Sequence, residues 1–551
     1  MKLPVGVESF EKIRQNKAYY IDKTDLICRL LKQKENEVTL FTRPRRFGKT
    51  LTMTMLDSFF DITRDSREMF EGLKVAEDKE LCREWMNQYP VVFVSLKDVE
   101  GADFEDAYSM LEYTLAMLYG KYEFLLKNDG IAVEDKTAFR RLRARGGDKS
   151  DVKGALCTLM RMLHVHYGRQ VILLIDEYDV PLAKAKDYGY YEHMLHIIRG
   201  ILSMALKTNL SLKFAVLTGC LRIVKESIFT GVNNFVSYSV LSREFGDIFG
   251  FTEEEVKGLL SDAGLSDKSG LVREWYDGYH FGDSAVYCPW DVVSYASAAI
   301  ANPDTLPMNY WINTSSNSII RSFIDKTEYA VSRKFETLLN GGTIQQDITD
   351  ELTYDQLYDS EQNLWSILLM TGYLTKADIA VSEGAVCLKI PNREITSVFQ
   401  STVVNWFRDT LQKDRQQEMF DALWNGDEER ATGIISDFLW NTISFHDYHE
   451  DFYHAFIAGI FVGAGYETES NREHGPGRTD VLVIDAAHRR VLLIETKKSD
   501  SADHMEKDCM EAITQIREKQ YAKEFEYGYQ QILCYGISFY KKQCLVKKSK
   551  K

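Results

Sequence analysis

Between Val38 and Thr54 the chain reads VTLFTRPRRFGKTLTMT, an apolar run that passes through a basic loop into Gly48-Lys49-Thr50 and a second apolar stretch. The pattern assigns Val38–Thr42 to a strand, Arg43–Phe47 to a loop and Lys49–Phe60 to a helix. Backbone N–H groups at a helix start attract phosphate oxygens. A lysine there reaches the β- and γ-phosphates of a nucleotide, and a threonine hydroxyl ligates Mg²⁺. One position departs from the usual Gly-x-x-x-x-Gly-Lys-Thr spacing: Arg43 stands where the first glycine is expected. The loop must then turn with Pro44, Arg45, Arg46 and Phe47 before it reaches Gly48.

The stretch VILLIDEYDV, Val171–Val180, completes that chemistry. Five apolar residues form a buried strand that ends in Asp176 and Glu177. Nucleotide hydrolysis at a phosphate loop needs one carboxylate near the Mg²⁺ water shell and a residue that orients the attacking water. Asp176 suits the first role and Glu177 the second. A third strand, LKFAVLT at Leu212–Thr218, ends on Thr218, a candidate γ-phosphate sensor, with Arg222 a further one. With Val91–Leu96, these strands alternate with amphipathic stretches as far as about residue 245, which implies a parallel sheet flanked by helices.

Beyond that point the pattern changes. TEEEVKGLL from Thr252 is a capped helix start, and helices dominate to about Asn340. The aromatic residues between Trp275 and Trp290 read as core. Within 345–420, LWSILLMTGYLT runs into a Gly372 turn and AVCLKIPNREI forms a short strand, a winged-helix-like order without a basic recognition helix. The segment Phe139–Asp151, with paired glycines, reads as an exposed connection.

A second chemical site is written in GRTDVLVIDAAHRRVLLIETKK, residues 477–498. Asp480 opens one strand, Ala486–Arg489 form a turn, and the second strand carries Glu495 and Lys497. Positions two apart on a strand share a face, so Glu495 and Lys497 point together and hairpin pairing brings Asp480 beside them. Two carboxylates and the Thr496 carbonyl make an oxygen site suited to Mg²⁺ or Mn²⁺. The Thr496 side chain is expected to face away. A helix follows over Asp508–Tyr521, and His449–Gly463 offers a leading helix with Glu450 a candidate extra ligand.

RPRRFGKT, LIDEYDVP, LTGCLRIVKESIFTGVNNF, WYDGYHFGDSAVYCPWDV and LWSILLMTGYLT together resemble the AAA-ATPase-like family of bacterial proteins that carry a C-terminal PD-(D/E)XK nuclease-like domain. In that family arginine ordinarily stands at the first loop position. The resemblance implies an α/β chain divided into a P-loop AAA+-like core at 1–245, a helical lid at 246–344, a winged-helix-like module at 345–425 and a nuclease-like domain at 426–551. It implies ATP with Mg²⁺ at Arg43, Pro44, Arg45, Arg46, Phe47, Gly48, Lys49, Thr50, Asp176 and Thr218, with Glu177 hydrolytic and Thr50 and Asp176 at the metal. At the second site it implies Mg²⁺ or Mn²⁺ held by Asp480 and Glu495, with Lys497 and Gln515 assisting, and cleavage of nucleic acid, with DNA the expected substrate, under ATPase control in a defence or mobile-element setting. The alternative is a regulatory ATPase switch whose nuclease-like domain only docks a partner. A homo-oligomer stays an open expectation, because a neighbour's arginine often completes AAA+ sites.

Composition limits these readings. The formal net charge of −15 repels DNA at long range, which excludes a generic backbone-coating binder and confines any nucleic-acid contact to local patches such as Arg140–Arg145 or the lysine-rich tail. Scattered cysteines without a Cys-x-x-Cys pair argue for reduced thiols, and the absence of a long apolar run or apolar leader for a cytoplasmic chain off the membrane. The histidine groups at 164–166, at 193–196 and at His446, His449 and His454 read as ordinary helix residues rather than ligands.

Overall fold

Strands that are apolar along their whole length need cover on both faces, as the parallel sheet of the first unit has. The computed structural model describes residues 1–33, 36–223, 235–311, most of 334–399, 413–442 and, with short breaks, 453–549. The chain divides into two compact units, Met1–Asn313 with Gln345–Glu394, and Thr314–Ile344 with Ile395–Lys551. The segment 345–425, read from sequence as one module, therefore straddles the division.

In the first unit the strands β1 (Val38–Thr42), β2 (Val91–Ser95), β3 (Val171–Asp176), β4 (Leu212–Gly219) and β5 (Phe235–Tyr238) lie in the order β2-β3-β4-β1-β5, with neighbours parallel. Both β1 and β3 are buried at every position. The register sets Phe41 beside Thr218 and Ser95 beside Asp176, so the C-terminal ends of four strands meet at one edge. Open α/β sheets bind ligands at that edge. Helix Lys49–Phe60 begins there, directly after Gly48 in the left-handed region at φ 82°, with open space where a Cβ would sit.

Helices Phe104–Gly120, Lys149–Tyr167 and Tyr191–Leu206 cover the sheet. The exposed connection read at Phe139–Asp151 is shorter than expected. Helix Val133–Arg143 continues through its first part and buries Phe139 and Leu142, and Asp148 already caps the next helix. The glycine pair misled because the apolar spacing of Phe139 and Leu142 is hidden among arginines. After β5, helix Glu253–Asp262 starts with the capping box of Thr252 and Glu255, and packs with Ser269–Tyr276 and Pro289–Ala301 around Val256, Leu259, Val272, Tyr276 and Tyr295. Helix Glu361–Met370 leads into the Gly372 turn, and strands Thr375–Lys376 and Ala385–Lys389 pair antiparallel.

The second unit is built on a mixed sheet. Strands Glu467–Ser470, Val481–Asp485, Arg490–Lys498, Gln531–Tyr540 and Gln543–Lys548 are adjacent in that order, and only the pair Arg490–Lys498 and Gln531–Tyr540 is parallel. A parallel pair needs a crossover, here helix Met505–Glu518. Gly536 is in register with Glu495, and a Cβ on it would lie 2.2 Å from the Cys509 carbonyl oxygen. Ser538, in register with Lys497, donates to the Met505 carbonyl at 2.8 Å. Small residues on this face thus let the helix lie close and carry Gln515 over Glu495.

Two measurements test this packing. Gly536→Ala should lower unfolding stability by about 1–3 kcal/mol through overpacking, whereas Gly433→Ala, in a helix with open space around it, should raise it by about 0.5–1 kcal/mol. In the first unit, burial, opposed by Arg64 at 2.8 Å, pushes the Asp57 carboxyl up to about 6. A raised carboxyl stabilises the fold fully below its ordinary value and loses that contribution as pH rises through about 6. Asp57→Asn should flatten the dependence of melting temperature on pH between about 4 and 7.

Candidate functional site

At the strand ends, Asp176 is fully buried, and three hydroxyls converge on it. Thr218 Oγ1 donates to Oδ1 at 2.7 Å, while Thr50 Oγ1 and Ser95 Oγ donate to Oδ2 at 2.9 and 3.2 Å. Burial and the neighbouring Glu177 raise the Asp176 pKa against the hydrogen bonds of Thr218 and Thr50. Glu177 follows at φ 52°, a left-handed conformation that turns its carboxylate toward Lys49, with Oε1 3.3 Å from Nζ. Lys49 is 3% exposed, and Nζ also donates to the Arg43 and Pro44 carbonyls at 3.1 Å each. Burial opposes its charge, yet Cys220, Glu177, Asp179 and Asp176 around it raise the Lys49 pKa.

The loop residues divide into two groups. Arg43 and Phe47 turn inward: Arg43 is fully buried, and Phe47 packs its ring against Tyr279 and Phe281 at 5.0 and 4.9 Å. Arg45 and Arg46 are only partly buried. Arg46, at φ 72°, stacks over Trp290 at 4.1 Å, and Pro44 meets the Gly372 turn, where a Cβ would lie 2.9 Å from the proline. The aromatic stretch between Trp275 and Trp290 is thus core and also the backing of Arg46 and Phe47. Arg222 pairs with Glu351 at 3.3 Å.

Sequence reasoning missed Ser95 and Asp179. Asp179 is buried, and its Oδ2 accepts the N–H groups of Cys220 and Leu221 and the Tyr354 hydroxyl, each at 2.9 Å. It ties the turn after β4 to the turn after β3. The third acidic residue of LIDEYD was a signal for it; nothing local marked Ser95.

In the second unit, Asp480 and Glu495 come together as the hairpin register requires. The Asp480 N–H donates to Glu495 Oε2 at 3.4 Å, and the Gln515 amide donates to Glu495 Oε1. Glu495 is 1% exposed. The expectation that the Thr496 side chain faces away is corrected: its N–H and Oγ1 both donate to Asp480 Oδ2 at 2.8 Å. Asp480 precedes its strand, so its carboxylate reaches across to the neighbouring strand edge at Thr496. Lys497 lies two residues beyond Glu495 and is half-buried. The helix expected to run to Tyr521 ends at Glu518, and Tyr521, assigned no role from sequence, begins a new turn and is buried against this cluster; burial first and then Glu495 raise its pKa. Glu450, His446, His449, His454 and most of the expected leading helix lie outside the described residues.

Three arginines of the Arg140–Arg145 patch have local partners. Arg141 and Arg143 pair with Asp151 and Glu123 at 2.7 and 2.8 Å, and Arg145 donates to Ser109. Among the described residues, no group of three or more His, Cys, Asp or Glu has the arrangement of a metal site, and no helix is long and apolar enough to cross a membrane.

Thr218→Val would leave the buried Asp176 short of a donor. The expected outcome is a stability loss of about 1–3 kcal/mol and a fall of about 10–100-fold in any ATP turnover, read by urea unfolding and phosphate release.

Comparison with known proteins finds a family match over each of the two regions that hold these residues. Residues 4–229 fit the family model described as Predicted AAA-ATPase, and residues 448–549 fit that of the PD-(D/E)XK nuclease superfamily. The chain is also 24% identical over 552 residues to a protein of Azotobacter chroococcum mcd 1 described as an uncharacterized protein in the vnfD 5′ region, covering 98% of this chain and 96% of that one.

Proposed function

We propose that this chain, an AAA-ATPase-like protein with a C-terminal PD-(D/E)XK nuclease-like domain, binds and hydrolyses ATP and uses the nucleotide state to license cleavage of nucleic acid. The observation that carries the reading is the convergence of Lys49, Thr50, Asp176 and Glu177 at one sheet edge, with Thr50 2.9 Å from Asp176 and Lys49 3.3 Å from Glu177. The donor set fits a nucleotide: helix N–H groups beyond the open, left-handed Gly48, one ammonium, one hydroxyl and a buried carboxylate.

Lys49 would neutralise the β- and γ-phosphates, with Arg45 and Arg46 at the loop rim. Thr50 and Asp176 would hold Mg²⁺, which supplies charge neutralisation of the phosphates when bound. Glu177 orients the attacking water. Phosphate oxygens compete with Glu177 for Lys49, so binding frees the carboxylate for its task. Thr218 holds Asp176 and senses the γ-phosphate through that contact.

At the second site Asp480 and Glu495 would hold Mg²⁺ or Mn²⁺, whose Lewis acidity activates water and stabilises the leaving oxygen. The two carboxylates and the Thr496 carbonyl form an oxygen donor set of the right hardness. Gln515 fixes Glu495, Thr496 fixes Asp480, and Lys497 offsets phosphoryl charge. DNA is the favoured substrate, in a cytoplasmic defence or mobile-element role. The near-complete burial of Glu495 favours one second reading, a regulatory switch whose nuclease-like domain only docks a partner.

Cleavage assays on DNA and RNA with Mg²⁺ or Mn²⁺, with and without ATP, decide between them. Glu495→Ala should reduce cleavage by at least about 100-fold, and Lys49→Ala should abolish its response to ATP. ATP binding without cleavage under any of these conditions would instead establish the switch.

A further inference from the structure

We infer that Arg43 is the positioning residue of the phosphate loop, taking the place of its first glycine by fixing Lys49 through its own carbonyl. The inference rests on the nucleotide reading of that loop. A glycine at this position would serve a left-handed turn, but Arg43 is absent from the positive-φ residues. The left-handed positions are instead Arg46 at φ 72° and Gly48 at φ 82°. The backbone at 43 therefore tolerates a side chain, and the structure uses that side chain as an anchor.

The anchoring reaches three segments. Arg43 Nη1 donates to the Thr42 and Tyr238 carbonyls at 2.9 and 2.8 Å, and Nη2 to the Phe245 carbonyl at 3.2 Å. The guanidinium lies over the rings of Phe249 and Phe281 at 5.1 and 5.3 Å. Among the described residues, the guanidinium's acceptors are backbone carbonyls and include no carboxylate. Burial lowers its pKa to about 9, which leaves it charged at neutral pH. Only a planar fork reaches carbonyls on both sides while its faces stack on rings, so lysine can replace the contacts only in part.

The backbone of the same residue holds the other side of the loop. Its N–H donates to the Gly219 carbonyl at 3.0 Å, next to Thr218, and its carbonyl accepts from Lys49 Nζ at 3.1 Å. Arg43 thus locks the ends of β1, β4 and β5 to the lysine that would meet the phosphates. Its side chain is directed away from the loop's open side, so its effect on a nucleotide passes through Lys49.

The test measures Mg²⁺–ATP affinity by calorimetry and melting temperature for the full chain, Arg43→Met, Arg43→Lys and Leu111→Ala. Leu111 is a buried residue of helix Phe104–Gly120 and serves as the purely structural control. Arg43→Met should weaken ATP binding by at least about tenfold, with Arg43→Lys intermediate, while Leu111→Ala loses melting temperature and keeps its affinity. Unchanged affinity in a folded Arg43 variant, or a loss no greater than that of Leu111→Ala at a similar melting temperature, overturns the inference. If Arg43→Met does not fold, Arg43→Lys decides by the same criterion; failure of both makes Arg43 a folding determinant and also overturns it. A natural chain that binds no ATP removes the nucleotide reading itself, an outcome separate from the others.

Discussion

A carboxylate without solvent, at the end of a strand without solvent, is the constraint on which the first unit depends. Asp176 sits where burial disfavours its charge, and its surroundings answer with hydroxyls from three elements: Thr50 of the loop helix, Ser95 of β2 and Thr218 of β4. Each hydroxyl can reach it only if its own strand or helix ends in register. The parallel pairing of β2, β3, β4 and β1 and the start of helix Lys49–Phe60 are therefore mutually required by one side chain. Asp179 repeats the device one turn later, accepting two backbone N–H groups from the segment that follows β4.

The second unit solves a related difficulty with absence of bulk. Its paired carboxylates lie on the face that helix Met505–Glu518 crosses, and the crossing needs Gly536 and Ser538 beneath it. The helix delivers Gln515, the strand edge delivers Thr496, and each carboxylate gains a fixed donor before any ligand arrives. A site held this way is preorganised and little exposed.

Sequence disclosed those parts of the molecule whose physics is local. VTLFT, VILLID and LKFAVLT declare buried strands, GKT declares a loop with a helix behind it, and TEEEV declares its own cap. Asp480 and Glu495 could be set side by side because strand periodicity and hairpin pairing are short-range rules, whereas Gln515, on the helix, was marked only by the family resemblance. Other features depended on distant partners. Ser95 and Tyr354 meet the first site only through tertiary folding, and the direction of the Thr496 hydroxyl follows from where the Asp480 backbone ends. Arg43 was legible as a departure from a pattern. That its guanidinium faces the carbonyls of Tyr238 and Phe245 was not, because those residues lie far along the chain. The division of the chain into compact units was equally hidden, since a boundary reflects long-range contact and leaves no local mark.

That division has a consequence for how the protein is made. Neither unit is one continuous stretch: the first closes with Gln345–Glu394, and the second already claims Thr314–Ile344. On the ribosome the parallel sheet is synthesised early, yet its unit lacks its last piece until Glu394 has emerged. Growth from the N-terminus thus starts the second unit before the first has received its last piece.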